Sequence, residues 1–240
     1  PASLTCAMDG TIPTRFRCGE RTYPHIPQPL LENPRTSAHD GHTACLTVTT
    51  RGTGHEVCLA SRIVAAAAVQ DASTAAVACQ VVGMELEQDH PLVVQRVVAV
   101  VSSRFAAAGK DVVAEALRLA DDATRHGYDA ELAASAAIWR ARWDVADVVI
   151  DGPAIDQARA RFSTFSMLQM APFHTDTQSI PARGFAYNRY HGLYYWDSET
   201  FLLPQYLHTH PEVARNLLVF RHRTLDGAKR NAAHLGRSEE

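Results

Sequence analysis

The sequence has no CxxC pair, no metal-ligand spacing among its cysteines and no large excess of either charge. Each absence removes a class of function. The five cysteines, Cys6, Cys18, Cys45, Cys58 and Cys79, are odd in number and confined to the first third of the chain. They read as buried free thiols of a reducing compartment, so no metal and no organic cofactor are expected. With 23 basic and 26 acidic residues the formal charge is only -3, too little positive field to hold a phosphate backbone, and nucleic acid is not an expected partner. The longest apolar stretches, Ile63 to Val69 and Val93 to Val101, fall far short of the roughly 20 residues that a membrane-spanning helix needs. No basic segment precedes an apolar core near the start, so no signal peptide is visible and a cytoplasmic location is the expectation. The chain opens on Pro1 and closes on Glu240 after a helical run, and both ends read as cut from a longer protein.

What is present divides by period. Ala44–Thr50, His55–Ile63, Ala75–Val82 and Val93–Ser102 alternate apolar and polar residues and are rich in Val and Thr, which predicts strands of an antiparallel sandwich. The Pro-rich stretch Tyr23–Pro34 should interrupt any ladder, and the Ala-rich run Val64–Val69 could be helical. After Arg104 the period becomes helical. Lys110–His126 carries the stripe Val112, Val113, Ala116, Leu117 and Ala120, with Gly127 placed as a C-terminal stop. A second helix over Asp129–Asp144 puts Trp139 and Trp143 on one face as packing residues. Val145–Ile150 reads as strand-like. Ala154–Ala171, apolar over a wide arc, reads as a buried helix. Further helices are expected over Trp196–His208, over Pro211–Thr224 and over Asp226–Leu235, with Pro211 and Glu212 suited to a helix start. The expected organisation is a sheet domain over residues 1–103, a helical linker over 104–150 and a helical domain from 151 to 240.

The segment Ser179–Gly236 concentrates aromatic, charged and amide groups in a loop that runs into a helix. Sugar recognition needs this mixture, because rings cover the apolar faces of a pyranose while carboxylates and amides fix its hydroxyls. Composition alone leaves open that Tyr187, Tyr190, Tyr194, Tyr195 and Trp196 simply pack on a core.

The pattern is more specific than the composition. SIPARG, a Gly-containing loop, and then YWDSETFLLPQYLHTHPEVARNLLVFRHRTLDGAKRNA resemble the signature of glycoside hydrolase family 65, which includes maltose, trehalose and kojibiose phosphorylases and acid trehalases. The resemblance is close over residues 179–236 and only architectural over the first hundred. It implies a multi-domain β plus α fold: a partial N-terminal β-sandwich, a helical linker and the first helices of an (α/α)6 barrel. It implies an enzyme that inverts the anomeric carbon of an α-glucosidic disaccharide, with inorganic phosphate as co-substrate, and it leaves a homodimer open for the whole protein. An acid-trehalase-like hydrolase and a non-catalytic carbohydrate-binding fragment are the alternatives.

The resemblance makes Trp196 and Asp197 glucose contacts: the carboxylate can accept two hydroxyls and the indole can cover a ring face. Arg183, Tyr190 and Glu199 could border the site. Glu199 lies two residues beyond Asp197, so the pair should diverge on a helix, which favours a structural role for it. His191 receives no catalytic role, since neither a partner nor the resemblance supports one. Tyr187-Asn188-Arg189-Tyr190 departs from the Gly-Glu-Gly-Tyr of many members, next to the glucose subsite that the resemblance implies. No catalytic residue is assigned, because the resemblance places the general acid beyond Glu240.

Overall fold

The computed structural model describes residues 2–11, 17–18, 21–22, 30–106, 109–182, 184, 193–234 and 236, with the side chains of 17–18 and 21–22 excepted. The chain forms two compact units, residues 1–15 with 23–135 and residues 16–22 with 136–240.

The first unit is a sandwich of two antiparallel sheets with a helix laid on one of them. β1 (Ala2–Asp9), β7 (Val69–Asp71) and β8 (Val77–Met84) form a sheet in the order β1-β8-β7. β4 (Leu31–His39), β5 (Thr43–Thr50), β6 (Glu56–Ala65) and β9 (Val94–Ser102) form the other, in that order. The β4–β5 turn holds Asp40 and Gly41 at positive φ, the chemistry that a tight hairpin turn demands. Met8, Ala44, Leu46, Val48 and Ala78 fill the space between the sheets. Cys45, Cys58, Ala60, Ala99 and Val101 point the other way, onto Val112, Ala116 and Ala120 of α1 (Val112–His126). β5 therefore buries both faces, and Thr43 through Val48 are all buried. The Asp111 carboxylate caps α1 by accepting from Val113 N and Ala114 N, and Gly127 ends it at φ 80°. Arg62, on the helix-facing side of β6, ties α1 down through Asp121 at 3.0 Å while holding Asp40 at 2.6 Å.

Two expectations change here. Val64–Val69 is not helical: β6 runs to Ala65 and β7 begins at Val69. Pro34 does not end a ladder but lies inside β4, at a register shift between Glu32 and Arg35, with Asn33 at φ 53°. An edge strand with a bulge tolerates the missing amide hydrogen. Of the four described cysteines all are free thiols, and Cys45 and Cys58 are fully buried. The contact with Cys58, together with burial, pushes the Cys45 thiol far above its ordinary range, which keeps it unreactive.

The second unit is helical. α2 (Tyr128–Ala146) crosses from one unit to the other, followed by α3 (Ala154–Met170), a single π-helical turn (Ser198–Leu202), α4 (Leu203–Thr209) and α5 (Pro211–His234). β2 (Arg17–Cys18) and β3 (Arg21–Thr22) pair as a separate antiparallel ladder. Residues 147–150 form no strand, and the two helices expected after Pro211 are one, continuous through Leu225 and Gly227. The wide apolar arc of α3 is not buried: Leu168 alone is, while Ile155 and Phe162 stay 56% and 72% exposed. Only its C-terminal part is covered, where Met167 and Met170 pack against the cluster that includes Leu203 and Leu217. Trp139 stacks on Phe165 with centroids 5.4 Å apart, a packing role as expected. No described helix is long and apolar enough to cross a membrane.

His210 joins α4 to α5. Its carbonyl accepts from Val213 N, its ring lies edge-on to Phe173, and among the described residues its two buried ring nitrogens have no hydrogen-bond partner. Burial lowers its pKa, Glu212 partly opposes this and Arg142 adds to it. The folded chain therefore resists a proton that the unfolded chain takes up as the pH falls through about 6.5. Stability should be fully present above that pH and decline below it. Thermal unfolding from pH 8 to 5 checks this: His210→Asn should flatten the decline, and an unchanged slope would assign it to other groups.

Candidate functional site

The core that positions the site is built by α4 and α5. Val213, Ala214, Leu217 and Phe220 form the buried stripe of α5 at helical spacing. Val213, Ala214 and Leu217 meet Leu203 and Tyr206 of α4, with Ile180 and Ala171 completing the cluster. Leu217, Val213, Tyr206 and Ile180 have no exposed surface, and each such aliphatic side chain contributes roughly 1.5–3 kcal/mol of burial. Polar ties hold the chain that wraps this core. Tyr206 Oη donates to the Met167 carbonyl at 2.7 Å, Asn216 Nδ2 to the Pro172 carbonyl at 2.9 Å, and Arg223 Nη1 to Asp176 at 2.5 Å.

Trp196 and Asp197 stand where the loop becomes the π-helical turn. The Trp196 carbonyl accepts from both Glu199 N and Thr200 N. The buried Ser198 donates its hydroxyl to the Ile180 carbonyl at 2.9 Å, which pins the turn to the segment Ser179–Ile180. The Tyr194 ring packs edge-on against Phe220 at 5.1 Å, and Ala182 N donates to the Leu193 carbonyl at 3.3 Å. On this fixed base the Trp196 indole is 76% exposed. Asp197 is half-buried, makes no cap with its side chain, and has no ion-pair or hydrogen-bond partner among the described residues. An exposed ring beside an unengaged carboxylate can receive a polar ligand with an apolar face.

Glu199 is placed differently. Arg221 grips both of its oxygens, Nε to Oε1 at 3.0 Å and Nη2 to Oε2 at 2.8 Å, and also donates to the Tyr195 carbonyl. Arg183, Tyr190 and His191 lie outside the described residues. Sequence reasoning passed over Arg221 and Ser198. The signal for Arg221 was its place one turn beyond Leu217 on the buried stripe of α5; nothing in the sequence pointed to the bond from Ser198 to Ile180.

Gly184, from the Ala-Arg-Gly stretch, adopts φ +57° and donates its amide to the Pro181 carbonyl at 2.7 Å. A Cβ there would fall on the Met170 sulfur. Met170 can swing aside, but the left-handed backbone still costs a residue with a side chain about 1–2 kcal/mol. Gly184→Ala should therefore lower the unfolding free energy in denaturant titration by at least about 1 kcal/mol. Adding Met170→Ala should relieve only the steric part, and a full rescue by it would show that φ is unstrained.

A β-sandwich followed by a helical unit that presents an indole and a carboxylate on a pinned turn is of the class seen in carbohydrate-active proteins. The model of the glycosyl hydrolase family 65 N-terminal domain matches residues 2–142, and that of the family's central catalytic domain matches residues 161–239. The chain belongs to glycosyl hydrolase family 65. It is 36% identical over 126 residues to the kojibiose phosphorylase of Halothermothrix orenii, a match covering 52% of this chain and 16% of the relative. It is 37% identical over 155 residues to the 1,2-alpha-glucosylglycerol phosphorylase of Bacillus selenitireducens, covering 64% and 19%. Against the maltose phosphorylase of Bacillus subtilis it is 34% identical over 128 residues, covering 53% and 17%. The fold matches the solved structure of a candidate kojibiose phosphorylase from the human microbiome with a TM-score of 0.80 at 22% identity, covering 98% of this chain and 30% of that one. The matches thus span less than a third of the length of these relatives.

Proposed function

We propose that this chain is the glucose-recognising part of a cytoplasmic enzyme that phosphorolyses an α-glucosidic disaccharide of the kojibiose, maltose or trehalose kind, with inversion. The observation that carries the reading is the Trp196–Asp197 pair: held on both flanks, yet with the indole open to solvent and the carboxylate unengaged. The names of the relatives, all phosphorylases of α-glucosides, support the same chemistry.

In this reading Asp197 accepts two hydroxyls of the glucosyl unit and Trp196 covers one face of its ring. A carboxylic acid elsewhere in the whole enzyme protonates the departing glycosidic oxygen while phosphate attacks the anomeric carbon from the opposite face. The C–O bond to the leaving sugar breaks, that oxygen keeps the proton, and a new C–O bond to phosphate forms. Because an α bond is attacked with inversion, the product is β-glucose 1-phosphate. Phosphate is already a nucleophile, so no second carboxylate is needed to activate water.

The test is an assay of the whole enzyme with kojibiose, maltose, trehalose and nigerose, each with and without inorganic phosphate, following glucose and the anomer of glucose 1-phosphate. Phosphate-dependent formation of the β anomer is expected. Glucose release without phosphate would assign the protein to the hydrolases of the family, and the α anomer would overturn the inverting mechanism.

A further inference from the structure

We propose that Arg221 is a positioning residue for glucose recognition, fixing the backbone on both sides of Trp196–Asp197 without itself touching the sugar. The proposal rests on reading Trp196 and Asp197 as the glucose contacts.

Arg221 sits on α5 four residues beyond Leu217 and next to Phe220, both buried. The stripe that anchors α5 in its core therefore also fixes the Arg221 Cα, since residues four apart share a helix face. From that anchor one planar group reaches two points of the site strand. Nε and Nη2 hold the two Glu199 oxygens at 3.0 and 2.8 Å, and Nη2 also donates to the main-chain carbonyl of Tyr195. Tyr195 immediately precedes Trp196, and Glu199 lies two residues after Asp197, so a single guanidinium closes a five-residue span around the dipeptide. Ser198 fixes the same span from the other direction through Ile180. Asp197 is thereby left one main-chain direction while its carboxylate stays unengaged.

A guanidinium is suited to this task because its donors are set in a rigid plane and serve a carboxylate and a carbonyl together. A lysine ammonium is a point donor on a flexible stem: it can pair with Glu199 or reach Tyr195 but does not reproduce the fork. Misplacement of a contact group by about 1 Å can cost on the order of a hundredfold in rate, so the clamp matters even though Arg221 makes no ligand contact.

The test is a double-mutant cycle in the whole enzyme. R221K should lower kcat/KM for the preferred disaccharide at least about tenfold while the thermal midpoint stays close to that of the wild type. In a D197A background the same R221K change should cost clearly less than it does in the wild type, because part of what the arginine does is to place Asp197. Full turnover in R221K, or losses from R221K and D197A that multiply, would overturn the proposal. Should R221K fail to fold, E199Q removes one half of the clamp and is read in the same cycle with the same two outcomes. Wild-type turnover in D197A is a distinct result: it removes the glucose-contact reading itself, and the clamp with it.

Discussion

Asp197→Ala in the whole enzyme should reduce turnover of α-linked glucose disaccharides by at least about tenfold. The argument starts from what the carboxylate does in the free protein. Among the described residues it has no hydrogen-bond or ion-pair partner and does not cap the turn that follows it, so removing it breaks no bond that holds the fold. Its loss should therefore appear in catalysis rather than in stability. A charge-assisted hydrogen bond contributes about 1.5 kcal/mol or more, which is roughly a tenfold effect on kcat/KM, and two such bonds to adjacent hydroxyls would raise it further. Steady-state kinetics with a parallel thermal melt decides the matter. Unchanged kinetics would remove Asp197 from the site, and a melt lowered by many degrees would recast it as structural. Glu199→Ala is the useful contrast: it strips the partner from a half-buried arginine and should lower stability as well as turnover.

The largest effect is expected from the isolated chain: residues 1–240, purified alone, should show no turnover of maltose, trehalose, kojibiose or nigerose, with or without phosphate. Inverting transfer needs an acid on one side of the glycosidic bond and a held nucleophile on the other. Of the carboxylates around the candidate site, Glu199 is gripped by Arg221 and Asp176 is paired with Arg223. Both carboxylates are thus already taken up by a guanidinium. In the proposed reading Asp197 serves as an acceptor of sugar hydroxyls rather than as the proton donor. The chain also spans less than a fifth of the curated relatives compared with it, and a partial set of contacts cannot preorganise the transition state. Release of glucose 1-phosphate above a blank would require a general acid within these residues, with Glu199, Glu212 and Asp197 the first to be substituted.

How much of this was legible follows the strength of each local signal. The strands β5, β6, β8 and β9 and the helices α1, α2 and α3 lie within a few residues of where period and caps put them, because half-buried strands and amphipathic helices write their burial into the sequence. Gly127 marked the end of α1 for the same reason. β1 carries little alternation and was not foreseen; it is specified by its ladder with β8, from Ala2 opposite Met84 to Asp9 opposite Val77. The continuity of α5 was missed because Gly227 and Asp226 are poor helix formers. The helix nonetheless runs on through them beyond the stripe that ends at Phe220, with residues 222–231 exposed. The wide arc of α3 was read as burial, although a pattern states only which face is apolar and not what covers it.

At the candidate site the dipeptide itself was readable, since Trp196-Asp197 stands in a long motif shared with the family. What Asp197 and Glu199 each do was separable only in part: two residues of spacing said that they diverge, not where each goes. Among the described residues one carboxylate is unengaged, and the other is closed in a fork with a residue 22 positions away. The sequence by itself determined the change from sheet to helix, the caps, the lack of a membrane-spanning run and the family signature, because these depend on neighbours within one or two turns of chain. Tertiary structure alone decided that β5 is covered on both faces, that His210 is buried without a partner, and that Arg221 and Ser198 converge on one turn. Those outcomes depend on groups far apart along the chain meeting at hydrogen-bond distance, and no local period records such a meeting.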